Sequence, residues 1–331
     1  MFTVHDSSTA ILLCVLTMIG WGSWANTQKL AGKGNWPFEL FYWDYSIGVA
    51  VTGVLFCVTL GMAGHAGVGA IANLHTASAA AEWQAFLAGA LFNLANILIV
   101  AAIDAAGMSI AFPVGIGLAL VIGTALSYFE VAKGSPVLLA CGVGFILVAM
   151  VVSAIAHTKV RHAGTKRKGS GLAFAIAGGC LMGFFYPQLM KAISSDFNNQ
   201  PIVPGMLTPY TALLFFGLGV LVSSIPINGW FMHARKSRFA DYRKARAAVH
   251  WPGVLGGAIW MTALVLNVIA SGVAGPAISY ALGQGATLIA ALWGVFVWRE
   301  FRDARPGAKP LVAVMLAAYT LGIVLIGRAT L

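Results

Sequence analysis

The sequence predicts an all-α polytopic membrane protein whose ten transmembrane helices form a 5+5 inverted repeat. Three observations carry that prediction. Of 331 residues, 59% are hydrophobic and only 9% charged, with a mean hydropathy of +0.85; a soluble domain carries about a quarter charged residues. Ten apolar runs reach the roughly 20 residues needed to cross a bilayer. Finally, adding 168 to Gly107, Gly115 and Gly117 gives Gly275, Gly283 and Gly285, and the same offset takes Phe92 to Trp260, Phe112 to Tyr280 and Leu120 to Leu288. Five helices per half is an odd number, so two such halves lie in opposite orientations, the plan of many secondary transporters.

The predicted spans are 9–29, 40–62, 82–104, 109–129, 136–157, 171–193, 206–226, 252–273, 276–298 and 309–328. They divide into a first repeat over 1–157, a basic linker over 158–170 and a second repeat over 171–331, leaving no length for a soluble domain.

The first span is apolar yet holds Trp21, Trp24, Asn26, Gln28 and Lys29. Hydrocarbon penalises such amides and charges unless they face protein or water. Gly20 and Gly22 let another backbone or a ligand approach closely. This helix reads as one wall of a polar cavity. The second span follows Trp36-Pro37, with proline where a helix start tolerates it. It carries Asp44, open to two readings: a proton-coupling carboxylate, or an interfacial acid paired with Lys29 or Lys33. The third span places Asn93 and Asn96 on one face. The fourth contains Pro113, Gly115 and Gly117, a sequence that bends or interrupts a helix. From the second half come Tyr186, Gln188, Trp260, Asn267, Tyr280 and Gln284 as further cavity candidates, with Gly283 and Gly285 as the matching break. Aromatic and amide groups stack on flat rings or sugar faces and hydrogen-bond neutral polar ligands. The competing reading makes the amides helix–helix bonds and the tryptophans an interfacial belt. Asp104 and Glu130 fall at helix ends and read as solvated caps, and Lys191 as a side chain reaching for the surface.

Charge sets the topology. Seventeen of the twenty Lys and Arg residues fall in the loops after spans one, five, seven and nine, all on one side of a ten-helix arrangement. Positive loops stay cytoplasmic, so both termini face outward. The net charge of +10 is therefore a membrane topology signal, with no nucleic-acid partner. Met1–Thr9 has no Lys or Arg and does not read as a cleavable signal peptide. The four cysteines make no C-x-x-C pair and the histidines no metal spacing. Residues 163–171 lack phosphate-loop spacing. No cofactor, metal or ATPase site is expected, and an enzyme would need a nucleophile–base set that is not found. Transport then runs on a gradient, of protons or alternatively sodium; no motif fixes an oligomeric state.

Several short motifs resemble the drug/metabolite transporter superfamily and, within it, the ureide permeases and the related glucose/ribose porters. Gly22-Ser23-Trp24-Ala25 lies where ureide permeases have Gly-Thr-Trp-Pro-Ala, with Ala25 in place of proline. Asp44-Tyr45-Ser46 matches their Asp-Tyr-Ser, and Asn93-Leu94-Ala95, Gly107-Met108-Ser109 and Ile122-Gly123-Thr124 through Tyr128-Phe129 resemble their third and fourth helices. The resemblance implies alternating access, proton coupling and import of a ureide or nucleobase such as allantoin, uracil or xanthine. The longer central loop of plant members is missing. A sugar or nucleoside substrate, as in the porters, stays open, as do export and passive facilitation.

Overall fold

A computed structural model describes residues 1–331 except 33–35, 65, 108–110, 161–169, 303 and 331. Lys33, His65, Met108, Ser109 and most of the basic linker, including Arg161, His162, Lys166, Arg167 and Lys168, lie outside the described residues. Among the described residues, ten helices are long and apolar enough to span a membrane. They are α1 (Ser7–Ala31), α2 (Phe38–Val58), α3 (Ala79–Ala106), α4 (Pro113–Glu130), α5 (Pro136–Thr158), α6 (Ser170–Ala192), α7 (Pro209–Arg235), α8 (Ala247–Ala274), α9 (Pro276–Val297) and α10 (Ala308–Arg328). We term the face at which α1, α3, α5, α7 and α9 end the basic face, and the opposite one the terminal face.

Local chemistry sets the helix starts. The Asp6 carboxylate accepts from the Thr9 amide at 2.8 Å, satisfying an otherwise orphan donor of α1. Ser78 and Ser135 do the same for α3 and α5, and Thr208 and Thr211 form a reciprocal cap on α7. Two helices differ in length from the sequence expectation. Pro226 does not stop α7, which continues to Arg235, and α8 begins at Ala247 because Pro252 lies in its opening turns. Three spans are irregular. α1 is interrupted by a turn at Trp24, between Ser7–Ser23 and Ala25–Gly32. The chain enters α4 through a π-helical turn, Phe112–Ile116, around Pro113. α9 pauses at Gln284–Gly285 and ends in a second π turn, Trp293–Val297.

The helix pairings have a simple rule. α3 packs on α6 and α8 on α1; α2 packs on α8 and α7 on α3; α4 packs on α6 and α9 on α1. α5 pairs with α10, α2 with α7 and α4 with α9. Replacing each helix by the one five places along leaves this set unchanged. The crossing contacts follow the same rule. A Cβ on Gly257 would lie 2.1 Å from the Tyr45 carbonyl oxygen, and one on Gly89 the same distance from that of Phe216. A Cβ on Gly48 would lie 2.2 Å from the Val254 carbonyl oxygen, and one on Gly219 2.0 Å from that of Phe86. Across the α5–α10 seam, a Cβ on Gly142 or Gly322 would lie 2.8 Å from the other's carbonyl oxygen. Only glycine permits backbones so close. α3 and α8 also end alike, at Gly107 (φ 82°) and Gly275 (φ 87°), a left-handed region that side chains disfavour.

Candidate functional site

A cavity of about 230 Å³ lies between α1, α3, α6, α8 and α9. Its residues at the basic face are Gln28, Phe38, Ile103 and Ile116, and it reaches the middle of the bundle at Trp21, Trp260 and Gln284. The turn at Trp24 breaks α1 along this wall. Trp24 tilts over Tyr45 with ring centroids 4.9 Å apart. Trp21 stacks on Trp260 at 5.9 Å and donates its indole N–H to the Trp260 carbonyl at 3.2 Å. Trp260 in turn stacks on Phe92 at 4.1 Å. The amides of Gln28, Asn96 and Gln284 also line the space. Asn96 is steadied by a 3.2 Å bond to the Tyr42 hydroxyl. Among the described residues, no charged side chain lines the cavity. The site thus offers flat aromatic faces and neutral hydrogen-bonding groups.

Toward the terminal face the path is shut. Phe185, Tyr186, Phe216 and Tyr280 are fully buried and in mutual ring contact. Tyr186 Oη lies 3.0 Å from Ser279 Oγ, and Tyr280 Oη donates to the Ala119 carbonyl at 3.2 Å.

Of the residues singled out in the sequence, Trp21, Trp24, Gln28, Asn96, Trp260 and Gln284 meet at this cavity. Six others do not line it: Tyr186 and Tyr280 belong to the aromatic closure just described, and four lie elsewhere. Asn26 accepts from the Trp298 indole at 2.6 Å and lines an adjoining space of about 160 Å³, which shares Gly22, Ala25, Thr287 and Ala290 with the cavity. Asn93 donates to Ser223 at 2.7 Å and to Ser224, tying α3 to α7. Gln188 accepts from Gln84 at 2.5 Å, tying α6 to α3. Asn267 donates to the Ser279 carbonyl at 2.7 Å, just beyond Gly283, where a Cβ would strike both Trp21 and Asn267. Gly115 and Gly117 stand against α3 and α5, opposite Ile99 and Leu147, and Gly285 against Met18 and Ile323.

Asp44 is 2% exposed and sits outside the cavity, at the basic end of α2. It accepts from the Tyr242 hydroxyl at 2.6 Å, and both its oxygens lie 3.0 Å from His250 Nδ1. Its partners are therefore not Lys29. Burial, then the Asp44 carboxylate, pushes the Tyr242 phenol well above its usual range. Lys29 instead pairs with Glu300 at 3.0 Å, and His157 Nε2 lies 3.6 Å from the other Glu300 oxygen. His157, with Lys29, holds the Glu300 carboxyl down at about 2. With Trp293 donating to Ser23 at 2.9 Å, this network straps the basic ends of α1, α5 and α9 together. Asp104 pairs with Arg235 and Glu130 with Lys191 at 2.7 Å, so these ends are bridged rather than merely solvated. Tyr42 and Phe185 are not legible in the sequence because nothing distinguishes them from ordinary core aromatics, whereas Tyr45 is marked by the Asp44-Tyr45-Ser46 motif, with no sign of its contact with Trp24. His250 and Glu300 carried a signal, as titratable residues at the edges of apolar runs.

The comparisons are consistent with this architecture. Residues 12–327 match the family described as sugar transport protein. Ureide permease 1 of Arabidopsis thaliana is 20% identical over 385 residues, covering 98% of this chain and 97% of that protein. A protein of known crystal structure superposes with a TM-score of 0.62 at 15% identity, covering 97% of this chain and 98% of the other, which speaks to the fold alone.

Proposed function

The chain belongs to the sugar transport protein family and is a membrane transporter rather than an enzyme, and from this premise we propose that it is a secondary active importer of a small neutral polar solute. The observation that carries the reading is the cavity: Trp21, Trp24 and Trp260 supply ring faces, Gln28, Asn96 and Gln284 supply amides, and no charge intrudes among the described residues. A flat heterocycle with exocyclic carbonyl and N–H groups satisfies all of these, so a ureide or nucleobase of the allantoin, uracil or xanthine kind is the first candidate. The full-length similarity to a ureide permease supports it. A sugar or nucleoside is the second, supported by the family's description and by the affinity of indole faces for sugar rings.

The mechanism is alternating access between two inverted five-helix halves, 1–157 and 171–331. The exchange-invariant helix pairings and the matched crossings at Gly89 and Gly257 support the repeat. Membership of the wider drug/metabolite transporter superfamily fits the same plan. The breaks at Pro113–Gly117 and Gly283–Gly285 provide places for α4 and α9 to flex. The basic face is cytoplasmic and both termini lie outside, in a plasma or inner membrane. The cavity is then open inward and sealed outward. Asp44, with His250 as neighbour, is the group through which a proton is coupled. These roles are tested by uptake into proteoliposomes of allantoin, uracil, xanthine, glucose, ribose and a nucleoside, with and without an inward proton gradient. Accumulation of one ring class above equilibrium is expected, and Trp24→Ala should weaken its apparent affinity about tenfold or more, the scale of one lost stacking contact. Equilibration without accumulation would make the protein a facilitator, and stimulation by the opposite gradient an exporter.

A further inference from the structure

The terminal half of the bundle contains a row of polar groups that the described cavity does not use. On α4, Thr124 and Ser127 are 6% and 2% exposed, and neither hydroxyl has a hydrogen-bond partner among the described residues. On α8, Asn267 is fully buried; its amide nitrogen is engaged with Ser279, while its Oδ1 has no partner among the described residues. Ser271 lies one turn further along the same face of α8. Ser127 and Ser271 open onto a space of about 80 Å³ at the terminal face, which Ser194, Ser195, Glu130 and Lys133 complete. Leaving a buried polar atom unsatisfied costs about 1–3 kcal/mol. Three such atoms on α4 and α8, two helices whose Ser127 and Ser271 meet at that space, are better explained by a second state in which they are wet.

The helix exchange gives an independent reason. Ile99 and Ile103 line the described cavity. Moved by the offset that relates α3 to α8, these positions become Asn267 and Ser271. The wall that is exposed toward the basic face is thus matched by a more polar wall now closed beneath Tyr186, Ser279 and Tyr280.

Resting on the transporter reading above, we propose that Asn267, Ser271, Thr124 and Ser127 form an outer half-site, the surface that receives a neutral hydroxyl- or amide-bearing solute from the terminal face. Opening it requires the Tyr186–Ser279 contact to part and the Glu130–Lys191 pair, which joins the ends of α4 and α6, to separate. The outer half-site is hydrophilic where the inner one is aromatic, so the solute passes from hydrogen bonding to stacking on its way in.

The test uses full-length protein in which Cys14, Cys57, Cys141 and Cys180 are replaced by alanine, with folding verified by thermal unfolding against the parent. Ser127→Cys and Ser271→Cys are made singly, with Val265→Cys, a buried site on α8 that lines neither space, as control. A membrane-impermeant thiol reagent is applied from the terminal face while allantoin, uracil or ribose is supplied in turn. Labelling at positions 127 and 271 is expected to exceed the control about tenfold, as a minor open state is sampled, and to slow when the transported solute saturates. Thr124→Cys, one turn deeper, should label more slowly than Ser127→Cys. Labelling no faster than the control, in vesicles that accumulate solute, overturns the proposal and leaves the transporter reading intact. Labelling that exceeds the control in vesicles that take up none of the three solutes supports the outer half-site and counts against the substrate assignment instead.

Discussion

Replacing Gly257 by alanine should be among the most destabilising single-methyl additions in the protein, and Gly89→Ala should match it. Each new Cβ would lie 2.1 Å from a carbonyl oxygen, of Tyr45 or Phe216. Ordinary contact begins near 3.4 Å, so the helices must part by roughly 1 Å. The obstacle is backbone, and no side-chain rotation relieves it. Overpacking of this kind costs about 1–3 kcal/mol and sometimes more. Alanine returns up to about 1 kcal/mol through helix propensity, leaving a net loss of about 1–2 kcal/mol at each site. Gly144→Ala supplies the reference, since among the described residues nothing lies within 4 Å of its Cβ position and only the propensity gain applies. The measurement is thermal unfolding of purified protein in detergent. Gly257→Ala and Gly89→Ala should both unfold several degrees below the parent, and Gly144→Ala at or above it. If Gly257→Ala unfolds with the parent, the close α2–α8 crossing is wrong; if only one of the pair is destabilised, the equivalence of the two crossings fails.

Two further outcomes are expected. Glu300→Gln should lower stability at neutral pH by about 1–2 kcal/mol, a figure discounted for the 30% exposure of the side chain. Because the folded-state pKa of Glu300 is depressed to about 2, its contribution is fully present above the unfolded value near 4.5 and disappears as pH falls toward 2. Acid melts should therefore show the parent losing ground between those values while Glu300→Gln stays flat; parallel curves would refute the role of the Lys29–Glu300–His157 network. Asp44→Asn should abolish proton-driven accumulation while downhill exchange persists, as read by uptake with and without a pH gradient. Undiminished accumulation would remove Asp44 from coupling.

The ten spans were legible because hydropathy is a one-dimensional property: a run that must sit in hydrocarbon declares itself. Their ends were less so, since Pro226 looks like a stop and is absorbed within a long helix. The tryptophans of α1 and the amides Gln28, Asn96 and Gln284 could be read as cavity residues because polar or bulky amphipathic groups are conspicuous in an apolar helix. The same conspicuousness cannot separate a ligand group from a helix tie. Asn93 and Asn96 are three residues apart and looked equivalent, yet a small angular difference turns one to Ser223 and the other to the cavity. The partners of Asp44 were illegible because Tyr242 and His250 are about 200 residues away, and only the packing of α2 against α8 joins them.

The α5–α10 pair contacts the remaining helices sparingly; its principal seam is internal, at Gly142 and Gly322. With 23 and 21 residues, the two helices are about 34 and 32 Å long, slightly more than a bilayer's hydrocarbon thickness of about 30 Å. Mechanically, the pair is a fender tethered at its basic end, where His157 meets Glu300, and loosely coupled elsewhere. A change in membrane thickness is expected to tilt it about that tether without prising apart the walls of the cavity, because few other contacts exist to carry the torque. The carrier should accordingly work at similar rates in lipids of different chain length, and strengthening the weak joints between this pair and α9 should make it sensitive to them.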